Sequence, residues 1–188
     1  MSSRRAVFLD RDGVLNRAVV RGGRPYPPAS LAELEIPPDV PGAAAALAAA
    51  GLLLIGVTNQ PDVARGTMRH EVVEEINAEL RARLPLADLL VSYDDAEEGP
   101  RRKPNPGMLT EAAARHGVDL GTSFMVGDRW KDIEAGRRAG CTTVLIDHRY
   151  DEAWPVGPPD FSASSFAEAA HYILERCRLG ANADETAD

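Results

Sequence analysis

Short apolar segments alternate along this chain with segments whose apolar positions recur every three or four residues. The apolar segments contain few polar residues and are bounded by them, which is typical of strands buried on both faces of a parallel sheet. These predicted strands lie at residues 5–9, 52–57, 87–92, 123–126 and 142–146.

The intervening segments predict helices. Residues 69–83 show the clearest pattern, because Val72, Val73, Ile76 and Leu80 fall on one helical face. Strands that alternate with helices predict an α/β fold with a doubly wound, mostly parallel, Rossmann-like sheet and right-handed crossovers. The other helices are predicted between Pro41 and Gly51 and at residues 106–116, 131–139 and 166–177.

Chain length and loops bound the organisation. With 188 residues, the chain suits a single domain, which we place at residues 1–178. Residues 16–39 are rich in Gly and Pro and predict a loop rather than a large cap domain. The small, acidic stretch 179–188 predicts a disordered tail.

Composition excludes some classes of function. The formal net charge is −8, so broad electrostatic capture of nucleic acid is not expected. No apolar run is long enough for a membrane span, and we expect no membrane partner. The two cysteines, Cys141 and Cys177, make no disulfide framework and favour a reducing cytoplasm. We expect a monomer that acts on a small phosphorylated metabolite.

Polar residues that can take part in catalysis or ligand binding follow four of the predicted strands. Because the carboxyl ends of parallel strands meet at one edge of the sheet, these side chains are expected to converge there. They are Asp10 and Asp12 after the first strand, Thr58, Asn59 and Gln60 after the second, Arg102 and Lys103 after the third, and Asp128 and Asp132 after the fourth.

This combination suits phosphate chemistry. Asp10 and Asp128 are natural ligands for Mg²⁺, which prefers oxygen donors and offsets the repulsion between a carboxylate and a phosphate dianion. Asp10 can then act as a nucleophile. Asp12 lies two residues further on and can transfer protons to the leaving group and from water, while Thr58 and Lys103 can steady the phosphoryl group.

The same segments resemble the four motifs of the haloacid dehalogenase (HAD) superfamily of hydrolases. The resemblance covers roughly residues 6–147, and it is specific as a set. The matching stretches are Phe8–Asn16, Val57–Gln60, Arg102–Pro104 and Val126–Arg129 with Asp132.

Within the superfamily, the chain resembles the D-glycero-D-manno-heptose 1,7-bisphosphate and histidinol-phosphate phosphatases. That likeness implies a phosphatase that converts the heptose 1,7-bisphosphate to the 1-phosphate through an aspartyl-phosphate. It also implies that the backbone carbonyl of Asp12 binds Mg²⁺. Asn59, Gln60, Arg102 and Arg129 are then assigned to the substrate.

One segment departs from the resemblance. Many of these phosphatases carry a structural zinc loop before the third motif, but residues 92–101 contain neither Cys nor His. A structural zinc site is therefore not expected here, and the identity of the substrate is less constrained than the type of reaction.

Other interpretations stay open. The substrate can instead be histidinol phosphate or another small phosphomonoester, and a non-catalytic phosphoacceptor or binding module is the alternative of another class. Asp132 either supports the site by contacting the residues that line it, or caps a helix. The loop with Arg21, Arg24 and Tyr26 either reaches over the site to hold a sugar or second phosphate, or is only solvated. No catalytic role is predicted for the four histidines, His70, His116, His148 and His171.

Overall fold

The segments predicted as strands pair with one another in the computed structural model, which describes residues 4–185 and side chains as far as Leu179. The strands are β1 (Ala6–Leu9), β2 (Val19–Arg21), β3 (Arg24–Tyr26), β4 (Leu53–Asn59), β5 (Leu86–Ser92), β6 (Phe124–Gly127), β7 (Thr142–Ile146) and β8 (Phe161–Ala163). The helices are α1 (Val40–Ala49), α2 (His70–Arg83), α3 (Gly107–His116), α4 (Trp130–Ala139) and α5 (Phe166–Glu185), with single 3-10 turns at Leu31–Glu33 and Leu120–Thr122.

Six of these strands form one sheet in the order β5-β4-β1-β6-β7-β8, and every neighbouring pair is parallel. The predicted fold class is therefore confirmed. After β1 the chain builds outward through β4 and β5, and it then returns to the other side of β1 with β6. A crevice is expected where the strand order reverses in this way, at the carboxyl end of β1.

Apolar side chains pack on both faces of the sheet. On one face, Val7 and Val126 lie in a core with α1, α2 and α5. On the other face, Phe8 and Met125 pack with α3 and with Ala135 of α4. Because both faces are covered, the central strands are apolar at nearly every position, as the sequence pattern indicates.

The strand register aligns the ends that carry the polar residues. Leu9, the last residue of β1, lies beside Gly56 of β4 and Val126 of β6. The amide of Asp10 then donates to the carbonyl of Val126 at 3.0 Å. The residues that follow these strands therefore meet at one edge.

The segment 16–39, predicted as a loop, contains a hairpin. Strands β2 and β3 pair antiparallel around Gly22 and Gly23, whose φ angles of 57° and 76° fit a type I′ turn. Each strand has only three residues, and Pro25 lies within the second. Three residues are too few to show the alternation of apolar and polar positions that predicts a strand.

The C-terminal region differs from the prediction in two ways. The three-residue edge strand β8 was not predicted, because so short a segment carries no periodicity. Helix α5 ends at Glu185 rather than Cys177, so residues 179–185 of the predicted tail are helical. Residues 186–188 lie outside the described residues.

Among the described residues, no helix has both the length and the apolar character that crossing a membrane requires.

Two helical glycines predict opposite effects of the same substitution on stability. A Cβ at Gly136 of α4 would lie 2.6 Å from the Cβ of Met125, whereas a Cβ at Gly42 of α1 would meet nothing within 4 Å. We expect Gly136→Ala to lower the free energy of unfolding by about 1–3 kcal/mol through overpacking. Gly42→Ala should leave it unchanged or raise it by up to about 1 kcal/mol. Urea denaturation measures both, and equal effects would contradict the close packing of α4 on the sheet.

Candidate active site

Lys103 forms ion pairs with two of the carboxylates of the site, Asp10 and Asp132. Its ammonium lies 2.5 Å from Asp10 Oδ1 and 2.7 Å from Asp132 Oδ1, and it donates to the carbonyl of Val57 at 2.7 Å. The lysine is 1% exposed, although it follows an irregular loop. The buried ammonium of Lys103 thus connects three other parts of the chain, at Asp10, Val57 and Asp132.

Asp10, Asp128 and Asp132 form a buried acidic cluster. Each offers a carboxylate oxygen, and these oxygens lie within 4.8 Å of one another. Burial is the main cause that raises the pKa of Asp10, to about 7, and the Lys103 charge opposes this shift. Burial and the charges of Asp10 and Asp132 raise the pKa of Asp128 well above its usual value.

The donor set fits a hard divalent cation. Both carboxylate oxygens of Asp128 are buried, and neither makes a hydrogen bond of normal geometry among residues 4–185. The hydroxyl of Tyr150 lies near this carboxylate and opposes the rise of the Asp128 pKa. A buried charge without a partner is costly, and a bound cation relieves that cost. Carboxylate oxygens are also the ligands that Mg²⁺ prefers. The pair Asp10 and Asp128 can therefore hold such an ion.

Asp132 is less available than the other two carboxylates. Its Oδ1 accepts from Lys103, and its Oδ2 accepts from the amide of Arg129 at 3.1 Å, which closes a capping box at the start of α4. Both roles left open by the sequence are present, since Asp132 supports Lys103 and also caps the helix.

Gly13 allows the chain to turn against the cluster. Its φ is +100°, and a Cβ built there would lie 1.9 Å from Asp128 Oδ2. Any side chain at this position would occupy the space beside the free carboxylate. The ring of His148 contacts the same turn, with Nε2 2.8 Å from the Gly13 carbonyl.

Asp12 is held by a separate polar network. Arg11, which is fully buried, binds both of its carboxylate oxygens at 3.0 and 3.1 Å. Asn16 donates to Oδ1 at 3.0 Å, and Gln60 donates to Oδ2 at 2.8 Å. The chain turns after Asp10 rather than staying extended, yet Asp12 and Asp10 line the same pocket.

The residues at the carboxyl end of β4 divide into two roles. Thr58 lines the pocket, and its Oγ1 accepts from Gln60 Nε2 at 2.9 Å. Asn59 forms two hydrogen bonds with the backbone of Lys103, at 2.9 and 3.0 Å. The amides of Asn59 and Gln60, which the sequence assigned to the substrate, therefore position Lys103 and Asp12 in this structure.

The two arginines assigned to the substrate are also engaged by protein groups. Arg102 is 6% exposed, and it donates to the backbone carbonyls of Asp94 and Asp95. Arg129 is bound through Nε and Nη2 by Glu152, at 2.8 and 2.6 Å. Arg129 still lines the pocket beside Lys103, whereas Arg102 lines only an adjoining groove.

These side chains surround a small pocket of about 90 Å³. The hairpin supplies one wall through Pro25, Tyr26 and Pro27, so the loop that the sequence left unassigned does reach the site. The remaining lining residues are Asp10, Asp12, Thr58, Asn59, Lys103, Arg129, Lys131 and Asp132.

Several positioning residues were not predicted. Arg11 donates to Asn77 Oδ1 at 3.0 Å, and Asn77 is fully buried on α2. An amide among the apolar positions of that helix was a signal available in the sequence, because a buried polar group needs a partner. The contacts of His148 and Glu152 come from the loop after β7, and no motif marks them.

Known proteins that are similar to this chain point to one family of hydrolases. Residues 100–169 match the model of the HAD-hydrolase-like family. A D-glycero-D-manno-heptose-1,7-bisphosphate 7-phosphatase of Thermosynechococcus vestitus is 33% identical over 90% of this chain and 95% of its own length. The D-glycero-beta-D-manno-heptose-1,7-bisphosphate 7-phosphatase of Mesorhizobium japonicum is 38% identical over 72% of this chain, which spans 65% of that relative.

A solved structure shares the architecture. The D,D-heptose 1,7-bisphosphate phosphatase from B. bronchiseptica, complexed with magnesium and phosphate, superposes with a TM-score of 0.77. It is 25% identical, and the match covers 92% of this chain and 99% of that one. The resemblance inferred from the four motifs is confirmed.

Gly13→Ala is expected to weaken cation binding at least tenfold, because the added Cβ would displace Asp128. Titration calorimetry with Mg²⁺ measures the affinity. Gly51→Ala is the matched control, because Gly51 also has a positive φ of +82° but open space around it. The control should lose some stability and keep its affinity for Mg²⁺, and an equal affinity in the Gly13 variant would refute the close approach.

The raised pKa of Asp10 predicts a pH-dependent stability of the metal-free protein. Asp10 ionises near pH 4 in the unfolded chain but only at about 7 in the folded protein, so the folded state binds more protons between these values. The free energy of unfolding should therefore fall as the pH rises from about 4 to about 7.

Urea unfolding in EDTA across this pH range tests the prediction, with Asp10→Asn as the comparison. The variant lacks the titrating carboxyl and should show a shallower fall. Parallel curves for the two proteins would contradict the assignment.

Proposed function

Since this chain belongs to the HAD-like hydrolases, within the D-glycero-D-manno-heptose-1,7-bisphosphate 7-phosphatase family of phosphoric monoester hydrolases, we propose that it removes a phosphate from a sugar bisphosphate with the help of Mg²⁺. The substrate that we name is D-glycero-D-manno-heptose 1,7-bisphosphate, and the product is the 1-phosphate. The activity of the relatives from Mesorhizobium japonicum and Thermosynechococcus vestitus supports this choice.

One observation carries the proposal. Asp128 presents two buried oxygens that make no hydrogen bond of normal geometry among the described residues, in the same cluster as Asp10. Residues that follow β1 and β6 thus provide a gap for a cation beside a carboxylate that can attack phosphorus. The magnesium and phosphate in the B. bronchiseptica relative are consistent with this reading.

Asp10 is the proposed nucleophile. When bound, Mg²⁺ offsets the repulsion between the carboxylate and the phosphate dianion and polarises a phosphoryl oxygen. A carboxylate oxygen of Asp10 forms a bond to phosphorus while the ester P–O bond breaks, which yields an aspartyl-phosphate and an alkoxide. Lys103, 2.5 Å from Asp10, holds a positive charge beside the attacking group.

Asp12 is the proposed proton carrier. Its carboxyl gives a proton to the alkoxide leaving group, and it then takes one from the water that hydrolyses the aspartyl-phosphate. That second step releases inorganic phosphate and restores Asp10. Arg11, Asn16 and Gln60 fix the orientation of the Asp12 carboxyl, which remains 15% exposed to the pocket side.

Thr58 and the pocket rim complete the proposal. The hydroxyl of Thr58 lines the pocket and can donate to a phosphoryl oxygen while it accepts from Gln60.

We further propose that the protein acts in the cytoplasm as a monomer, without a nucleic-acid or membrane partner. We expect no structural zinc in the loop 93–105, because its residues offer no Cys or His.

Phosphate release from purified protein tests the function. We expect Mg²⁺-dependent turnover of the heptose 1,7-bisphosphate that is at least about tenfold faster in kcat/KM than that of histidinol phosphate or common sugar monophosphates. Asp10→Asn should lower kcat by about a thousandfold or more, because no aspartyl-phosphate forms. Asp12→Asn should also lower kcat, because the variant can neither protonate the alkoxide nor take a proton from the water.

The control variant is Glu79→Gln, which removes a partly exposed carboxylate on α2 whose one ion pair among residues 4–185 is with Arg83 at 3.7 Å. It should match the wild type. Turnover that persists in EDTA, or in Asp10→Asn, would exclude the proposed mechanism, and equal turnover of all phosphomonoesters would exclude the named substrate.

A further inference from the structure

The residues that follow β7 contact parts of the candidate site that are distant in sequence. We call residues 147–152 the β7 segment. The amide of Asp151 donates to the carbonyl of Gly23 in the β2–β3 hairpin at 3.0 Å. Glu152 binds Arg129, at the start of α4, through two nitrogens at 2.8 and 2.6 Å. The β7 segment therefore holds both the hairpin and the start of α4 beside the carboxyl edge of the sheet.

A third contact of the β7 segment is with the turn after the proposed nucleophile. His148 Nε2 lies 2.8 Å from the carbonyl oxygen of Gly13. Because a carbonyl oxygen only accepts hydrogen bonds, Nε2 carries a proton and the ring is the donor. Among residues 4–185, this is the one hydrogen bond that the Gly13 carbonyl accepts.

The turn at Gly13 depends on this contact more than an ordinary turn would. Glycine has the greatest freedom to change its backbone angles. The peptide unit between Gly13 and Val14 makes one other hydrogen bond, from the Val14 amide to the carbonyl of Arg11, and that bond is long at 3.4 Å. A cavity of about 290 Å³ lies beside the turn, so side-chain packing restrains it less on that side.

The position of this turn determines the space that is available to a cation. A Cβ built on Gly13 would lie 1.9 Å from Asp128 Oδ2, so the backbone of the turn approaches the Asp128 carboxylate closely. Asp12, whose backbone carbonyl the family resemblance assigns to Mg²⁺, precedes Gly13 directly. A shift of the turn therefore changes both the gap beside Asp128 and the direction of the Asp12 carbonyl.

The backbone of the β7 segment is strained next to His148. Arg149 is the one residue other than glycine among residues 4–185 with a positive φ, 56°, a conformation that costs free energy for a residue with a Cβ. Its amide donates to Asp147 Oδ1 at 2.8 Å, which stabilises the turn. The rings of His148 and Tyr150 on either side lie 5.4 Å apart. Strain of this kind persists where the surrounding structure holds it, often at functional sites.

We propose that His148 is a positioning residue for the cation site, because it holds the Gly13 turn at the distance from Asp128 that Mg²⁺ binding requires. The inference rests on the proposed function, since that function supplies the need for the cation. His148 does not line the reaction pocket. Its effect therefore belongs to the affinity for Mg²⁺ and not to kcat at saturating Mg²⁺.

Titration calorimetry of the full chain with Mg²⁺ tests the inference. We expect His148→Ala to weaken the affinity for Mg²⁺ about fivefold, as the loss of one hydrogen bond implies. His148→Gln should stay within about twofold of the wild type, because its amide nitrogen can donate to the same carbonyl. His171→Ala is the control, since His171 is exposed on α5, and it should bind as the wild type does.

A second pair of variants tests the strained backbone without touching the histidine. Arg149→Gly and Arg149→Val remove the same charge. Glycine adopts a φ of 56° readily, whereas a β-branched residue does not. We expect Arg149→Gly to keep the wild-type affinity for Mg²⁺ and Arg149→Val to lose affinity as His148→Ala does. In phosphate-release assays at saturating Mg²⁺, all of these variants should keep a kcat close to that of the wild type.

The outcomes separate this inference from the proposed function. Equal affinity for Mg²⁺ in the wild type and His148→Ala, or a loss that His148→Gln does not restore, would overturn the inference and leave the function intact. Partial unfolding of His148→Ala in EDTA, measured by circular dichroism, would show that the residue is only structural and would also overturn it. A wild type that binds no Mg²⁺ would refute the proposed function, and the inference with it.

Discussion

Three carboxylates and one ammonium are buried together at the carboxyl edge of the sheet, and this imbalance of charge is the constraint on which the site depends. Lys103 is shared between Asp10 and Asp132, which leaves Asp128 uncompensated. In a medium of low polarity such a charge is stabilised only by a proton or by another cation. The raised pKa values of Asp10 and Asp128 express the first solution, and the proposed metal is the second.

The surrounding chain accommodates this cluster at close range. Gly127 leaves room for Asp132, because a Cβ there would lie 2.1 Å from the Cβ of Asp132, and Gly13 leaves room for Asp128. Amide side chains hold the charged ones in place, since Asn59 binds the backbone of Lys103 and Gln60 bridges Thr58 and Asp12. A fixed arrangement of this kind lowers the reorganisation needed during phosphoryl transfer.

Reaction chemistry and substrate selection come from different parts of the fold. The sheet edge supplies the carboxylates, whereas the β2–β3 hairpin and the segments after β4, β5 and β6 supply the rim. Around that rim, protein carboxylates and carbonyls already balance Arg65, Arg102 and Arg129. Loops can change these rim residues without disturbing the sheet.

Local patterns were sufficient for the main architecture. Continuous apolar strands and amphipathic helices predicted the parallel sheet, because burial on both faces leaves a signal in each segment. The strand-end positions of Asp10, Thr58 and Asp128, and the place of Lys103 in the loop after β5, predicted their convergence, since parallel strands end at one edge. The three-residue strands β2, β3 and β8 were missed, because so few residues carry no period.

The sequence by itself thus determined five of the six strands of the sheet, the helices that cover it, and the residues Asp10, Thr58, Lys103 and Asp128 that meet at its edge. Only the tertiary structure decided which partner each polar group binds. Asn59 and Gln60 form hydrogen bonds with neighbouring backbone and side chains. Arg102 donates to backbone carbonyls, and Arg129 donates to Glu152. The physical reason is that a hydrogen bond depends on which partner lies within about 3 Å, and loops distant in sequence provide those partners here.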